Sequence, residues 1–175
     1  MRADEQANLA AIKLLVMDVD GVLTDGTISI SSDGSESKRF SLLDGHGIRM
    51  WHRAGLRTAI ISARASCVTR VRAEELQITY SYQGCQQKLG AFEELLVEAD
   101  VAAGNVAYVG DDVLDIPIAR RAGFSVAVAN AVDELKRCVH YVTSRPGGGG
   151  AIREVVEYIL KNAGRWEDLM QRYMV

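Results

Sequence analysis

The chain has 175 residues, 48% hydrophobic and 25% charged, with a formal net charge of -3 and a sequence pI of about 5.6. That length supports one compact domain with a full core. The acidic balance argues against broad nucleic-acid or anionic-membrane binding, while leaving room for a few Arg and Lys in one pocket.

No segment reaches the ~18 consecutive apolar residues of a membrane span, and residues 1–6 are too acidic for a secretory signal. Cys67, Cys85 and Cys138 are scattered and odd in number, and His46, His52 and His140 form no ligand motif. Reduced thiols in a cytoplasmic protein are the simplest reading.

Apolar, β-branched runs predict strands over 12–19, 58–61, 106–109, 124–128 and 139–142. Helical spacing falls between and after them, over 47–54, 68–76, 89–97, 118–122 and 152–160. Such alternation predicts an α/β fold with a Rossmann-like parallel sheet and helices on both faces. One segment departs from it. Stretches 27–31 and 36–40 flank Ser32-Asp33-Gly34-Ser35, which predicts a hairpin arm over about 24–40 with Asp-Gly in its turn. A two-stranded hairpin is marginal alone, so it is expected to pack on something, a second subunit included. Pro146 and Gly147–Gly150 mark a loop that opens a tail over about 145–175, and residues 166–173 carry apolar side chains at helical spacing. A single domain over 1–175 is expected.

The first strand ends in Asp18-Val19-Asp20-Gly21-Val22-Leu23-Thr24-Asp25. Ligands of open α/β sheets gather beyond the carboxyl ends of the strands, and carboxylates two residues apart can face the same side of that crevice. Burying both is costly unless a cation neutralises them. A second acidic cluster, Gly110-Asp111-Asp112-Val113-Leu114-Asp115, ends the strand over 106–109. Asp115 precedes Pro117 by two residues and has a credible capping role, whereas Asp111 and Asp112 do not. Two acidic tips at one end of a sheet make an oxygen-rich site suited to Mg²⁺. Ser62, at the end of the strand over 58–61, and Lys88, before a helix, offer a hydroxyl and a fixed cation at the same rim. Each alone reads as a helix cap or a solvated side chain; their order along the chain raises them.

This ordered set, DxDGxxxD at 18–25, Ser62, Lys88 and GDDxxD at 110–115, resembles the haloacid dehalogenase superfamily of phosphotransferases. Within it, nearly the whole chain resembles the small capless phosphatases acting on 3-deoxy-D-manno-octulosonate 8-phosphate. Stretches 44–48, 82–84 and 147–154 carry the likeness beside the acidic motifs. The second motif, usually Ile-Thr-Gly-Arg, reads Ile61-Ser62-Ala63-Arg64 and keeps its hydroxyl, while Gly149 stands where an Arg is often found.

The resemblance implies an aspartyl-phosphate mechanism in lipopolysaccharide precursor synthesis, with Asp18 as nucleophile and Asp20 as general acid and base. Ser62 and Lys88 would hold the phosphoryl oxygens. Mg²⁺ would be held by Asp18, the Asp20 backbone carbonyl and Asp111, with Asp112 in support. Ser41, Leu42, Leu43, Asp44, Gly45, Arg49, Arg64, Arg72 and Lys88 would line the pocket for a small sugar-acid phosphate. For Arg72, a surface pair with a nearby Glu is an equal alternative. The resemblance further implies no cap domain and a cytoplasmic homotetramer whose glycine-rich tail reaches a neighbouring active site. Three other readings stand beside it: a phosphatase for a nine-carbon 2-keto-3-deoxy sugar acid phosphate, a receiver-like signalling module, and a catalytically silent oligomerisation domain. Asp20 tells against the receiver, which lacks a second Asp at that spacing.

Overall fold

The computed structural model describes residues 7–174; residues 1–6, read above as unlike a secretory signal, lie outside the described residues. After a 3₁₀ turn at Leu9–Ala11 come β1 (Leu14–Met17), β2 (Ser29–Ile30), β3 (Glu36–Ser37), α1 (Leu42–Arg53), β4 (Arg57–Ser62), α2 (Cys67–Glu75) and β5 (Tyr80–Gln83). The chain continues through α3 (Lys88–Ala99), β6 (Val106–Gly110), α4 (Ile116–Ala119), β7 (Phe124–Ala127), α5 (Asp133–Lys136), β8 (Tyr141–Val142), α6 (Ala151–Asn162) and α7 (Trp166–Gln171). Further 3₁₀ turns sit at Ala103–Asn105 and Val113–Asp115.

Six strands form one parallel sheet in the order β5-β4-β1-β6-β7-β8. Every residue of β1, β6 and β7 is buried, which is why these strands read as continuous apolar runs. From β1 the chain steps to β4 and β5, then crosses back to β6, β7 and β8. Right-handed crossovers therefore put α1 and α2 on one face and α3, α4 and α5 on the other. The contact of α3 with α4 agrees with that division, and α6 packs on α1. The strand order reverses between β1 and β6. A crevice opens there beyond their carboxyl ends.

Several boundaries differ from the sequence reading. Strand β5, Tyr-Ser-Tyr-Gln, was not expected because it is a half-exposed edge with no apolar run. Helix α1 starts five residues earlier than its apolar spacing suggests. Ser41 caps it by accepting from Asp44 N at 3.3 Å, offsetting the weak helix preference of Gly45 and Gly47. The four-residue α5 was too short to show a period, and α4 ends at Ala119, short of the expected 122. The hairpin is real but brief, with two-residue strands and Gly34 at φ +82° in its turn. Trp166, Leu169 and Met170 of α7 pack on the core edge as expected, whereas Tyr173, expected on the same face, lies exposed beyond the helix end. Lys161 lies 4.7 Å from the Trp166 ring centroid.

The Gly147–Gly150 loop packs within its own chain, beneath the β1 loop: a Cβ on Gly147 would lie 1.7 Å from Gly21 O, and Gly148 N donates to Val22 O at 2.9 Å. Between Thr24 and Ser62 lie only the hairpin and α1, so no cap domain covers the crevice.

Candidate active site

Asp18 continues the β1–β6 pairing for one step, its N–H donating to Val109 O at 3.0 Å, and the chain then coils tightly. Val22, Leu23 and Thr24 all donate backbone N–H groups to Val19 O. The buried Thr24 hydroxyl accepts from Gly21 N and Gly26 N, both at 3.2 Å, and pins the turn. Val19, Val22 and Leu23 face the core, so the loop bearing both Asp residues is anchored by hydrophobic burial and by Thr24 together. Gly21 has φ +98°, and a Cβ there would lie 2.0 Å from Asp111 Oδ2. Only glycine lets the second acidic tip approach the first this closely.

Asp18, Asp111 and Asp115 each bring a carboxylate oxygen within 4.8 Å of the others. Asp115 is fully buried and its lone pairs are committed. Oδ1 accepts from Lys88 Nζ and Tyr108 OH, both at 2.6 Å, and Oδ2 accepts from Asp111 N at 2.8 Å and Asp112 N at 3.1 Å. It thus organises the loop and the lysine, leaving Asp18 and Asp111 as the pair that could face an ion. Lys88 opens α3 with its Nζ 2.8 Å from Asp18 Oδ1, enclosed beside both carboxylates.

The electrostatics fit a cation-binding pair. Burial pushes Asp18 up to about 6, against the pull of Lys88 and with the Asp115 charge adding to the rise. Burial, then the charges of Asp18 and Asp115, push Asp111 up to about 8. Two such carboxylates cannot both ionise comfortably unless a divalent cation lies between them. Burial alone would lower the Lys88 ammonium, but Asp18 and Asp115 override it and hold its pKa above the ordinary lysine value. The same environment holds the Tyr108 phenol protonated as a donor to Asp115. An all-oxygen pair with open coordination positions suits Mg²⁺.

Asp20 is different. Its Oδ1 lies 2.6 Å from Lys38 Nζ, off the axis of an aligned hydrogen bond, and its Oδ2 has no partner. Asp112 is exposed and caps the Val113–Asp115 turn, Oδ1 accepting from Val113 N at 2.6 Å. Ser62 closes β4 two residues past the Met17–Ile60 pair, is 2% exposed, and accepts from Arg64 N.

The expected pocket residues are spread more widely. Arg64 is at the rim, paired with Glu36 at 2.8 Å. Arg72 pairs with Glu75 at 2.7 Å, donates to Ser41 O and lies over Phe40, directly above Gly45. Leu42 and Leu43 are exposed. Asp44 turns inward and caps α6, accepting from Gly150 N at 3.1 Å and Arg153 N at 2.9 Å. Arg49 is exposed on α1, roughly 12 Å along the axis from Ser41, in a groove with His52 and Gln77.

Comparison with known proteins agrees with this geometry. The haloacid dehalogenase-like hydrolase family matches residues 82–154. A 3-deoxy-D-manno-octulosonate 8-phosphate phosphatase of Escherichia coli is 43% identical over 166 residues, covering 95% of this chain and 88% of the relative. The chain belongs to that phosphatase family. Its six-stranded parallel sheet without a cap is the family's haloacid dehalogenase-like fold. A probable phosphatase of the family from Pseudomonas syringae superposes with a TM-score of 0.93 at 44% identity, covering 95% of each chain. The Moraxella catarrhalis phosphatase, solved with magnesium ion, phosphate ion and the octulosonate sugar, superposes with a TM-score of 0.92 at 36% identity, covering 97% of this chain and 99% of that one.

Sequence reasoning missed Lys38, Thr24 and Tyr108 in this centre. Lys38 sits in a polar hairpin and reads as solvated, Thr24 reads as a motif spacer, and Tyr108 is hidden within an apolar strand.

Proposed function

We propose that this phosphatase releases phosphate from 3-deoxy-D-manno-octulosonate 8-phosphate through an aspartyl-phosphate on Asp18, with Mg²⁺ held by Asp18, the Asp20 backbone carbonyl and Asp111. The observation that carries the reading is the convergence of Asp18, Asp111 and Lys88 at the β1/β6 crevice. Support for the substrate comes from relatives named for that activity.

Bound there, the cation neutralises the acidic pair and lets an anionic nucleophile meet an anionic phosphate. Asp18 attacks phosphorus in line, and Lys88, fixed by Asp115, holds a phosphoryl oxygen as charge shifts. The Ser62 hydroxyl takes a second oxygen. Asp20 gives its proton to the departing alkoxide and later takes one from the hydrolytic water. Asp112 supports the metal from the loop, and Ser41–Gly45, Arg49, Arg64 and Arg72 are assigned to the sugar acid. Arg49 sits well away from Ser41 along α1, which fits a role at a neighbour's site. The exposed Ile30, Leu42 and Leu43 near the hairpin fit burial in a homotetramer, checked by sedimentation at four times the chain mass. The domain is read as one unit over 1–175. It is assigned to the cytoplasm and to lipopolysaccharide precursor synthesis; among the described residues no helix is long and apolar enough to cross a membrane.

Phosphate release from the octulosonate ester, its nine-carbon homologue and simple phosphate esters tests the function. The eight-carbon ester is expected to show the highest kcat/KM, turnover to require Mg²⁺, and Asp18→Asn to lower it by about a thousandfold or more with the fold retained. An active Asp18→Asn protein refutes the nucleophile assignment.

A further inference from the structure

The hairpin poses a physical question. Its strands are two residues long and mostly exposed, too little to hold a hairpin by itself. Glu36 and Lys38, two residues apart, lie on the same side of the arm and tether it to the body. Glu36 accepts from Arg64 at 2.8 Å and from Ser66 at 2.5 Å. The Lys38 side chain is completely enclosed, although it sits on a surface arm. Enclosing an ammonium costs several kcal/mol unless it is paired. Lys38 has its Nζ 2.6 Å from Asp20 Oδ1, 3.2 Å from Thr69 Oγ1 and 3.8 Å from Glu36 Oε1. The Asp20 backbone is already fixed by the Thr24-pinned turn, so what remains free is the rotation of its carboxylate. Lys38 restrains one oxygen. The other, Oδ2, is buried and has no hydrogen-bond partner among the described residues.

We propose that Lys38 is a positioning residue: it fixes the Asp20 carboxylate so that its free oxygen meets the oxygen leaving phosphorus. This rests on the proposed phosphatase mechanism and adds to it a residue on the hairpin. In the step concerned, Asp18 Oδ forms a bond to phosphorus as the ester P–O bond breaks. The departing alkoxide takes the proton carried by Asp20. A misaligned Asp20 therefore harms esters whose leaving group needs that proton and spares those whose leaving group departs as a stable anion. Thr69, on α2, completes the hold. The arm thereby couples its own docking to proton transfer at the crevice, without Lys38 touching substrate.

The test is kcat/KM, which covers all steps through formation of the phosphoenzyme, for the full-length protein with Mg²⁺. Lys38→Met keeps the apolar stem and removes the ammonium. It is expected to lower kcat/KM for octulosonate 8-phosphate by about 10- to 100-fold, part of the range attributed to general acid catalysis. For p-nitrophenyl phosphate the change is expected to stay within about threefold, because p-nitrophenolate leaves unaided. KM for the sugar ester is expected to move little. Equal losses on both esters, no loss on either, or a raised KM with unchanged kcat each overturn the positioning role. Thr69→Val is expected to show the same selective loss in milder form, and it carries the test should Lys38→Met fail to fold. A wild-type protein active on both esters beside an unselective variant sinks this inference alone. A wild-type protein inactive on both sinks the phosphatase mechanism, and the positioning role with it.

Discussion

Asp115 shows how much one side chain can organise. It is fully buried, it fixes Lys88 and Tyr108, and it receives the N–H groups of Asp111 and Asp112. From sequence it read as a cap for the helix at Pro117. It stands at that N-cap position, but its side chain makes no capping hydrogen bond there; it instead closes the preceding Val113–Asp115 turn as the reciprocal partner of Asp112. What the sequence hid is the second use of the same carboxylate, because Lys88 lies 27 residues away along the chain. Removing one partner from a buried ion pair strands the other charge. Asp115→Ala is therefore expected to destabilise the fold by about 3–5 kcal/mol and to free Lys88 from its place beside Asp18. Urea unfolding measures the first effect and phosphate release the second. A variant of unchanged stability and activity removes Asp115 from this role.

At the scale of elements, α6 depends on a residue from another helix. Gly150 at its N-cap has no side chain to offer, and Asp44 of α1 supplies the acceptor for Gly150 N and Arg153 N. Burial raises the Asp44 pKa, and the N–H groups of Arg153 and Gly150 pull it back down. Asp44→Ala leaves those N–H groups unpaired, and the expected loss is about 1–3 kcal/mol, read as a lower urea midpoint at unchanged slope. An equally stable Asp44→Ala protein shows that water replaces the cap at no cost. The family likeness assigns Asp44 to the sugar-acid pocket; the structure adds its bonds to the α6 backbone. Strands β1, β6 and β7 were legible because both faces are buried. Strand β5 was not, because an edge strand needs no apolar face of its own, only a neighbour with free hydrogen-bonding groups.

For the whole molecule, the acidic pair makes stability depend on pH and metal in a definite sense. Asp18 and Asp111 titrate near 4 when unfolded, but at about 6 and about 8 in the folded chain without metal. Between those limits the folded state binds more protons than the unfolded one, so stability falls as pH rises. Carboxylates held below their usual range, such as Glu36, Glu154 and Glu157, are ionised in both states above about pH 5 and add no slope there. His46 and His52, lowered by burial, act in the opposite sense below about pH 7. In a chelator, the melting temperature is therefore expected to fall from pH 7 to pH 8.5, where the acidic pair alone titrates. Added Mg²⁺ is expected to raise it, and more at the alkaline end, because the ion binds the ionised pair. Stability that climbs with pH over that range in the chelator overturns the crowded-carboxylate account.

The sequence by itself determined the alternation of strands and helices, the two acidic strand tips and, through their order with Ser62 and Lys88, the family. Those features are local or follow chain order. Tertiary structure decided what long-range proximity controls: Asp111 against Gly21, Lys88 between Asp18 and Asp115, Lys38 folded onto Asp20, and the glycine loop packed under its own strand tip. Charge–charge contacts depend on distance in space, and no spacing along a chain encodes that distance once a sheet has brought its strand ends together.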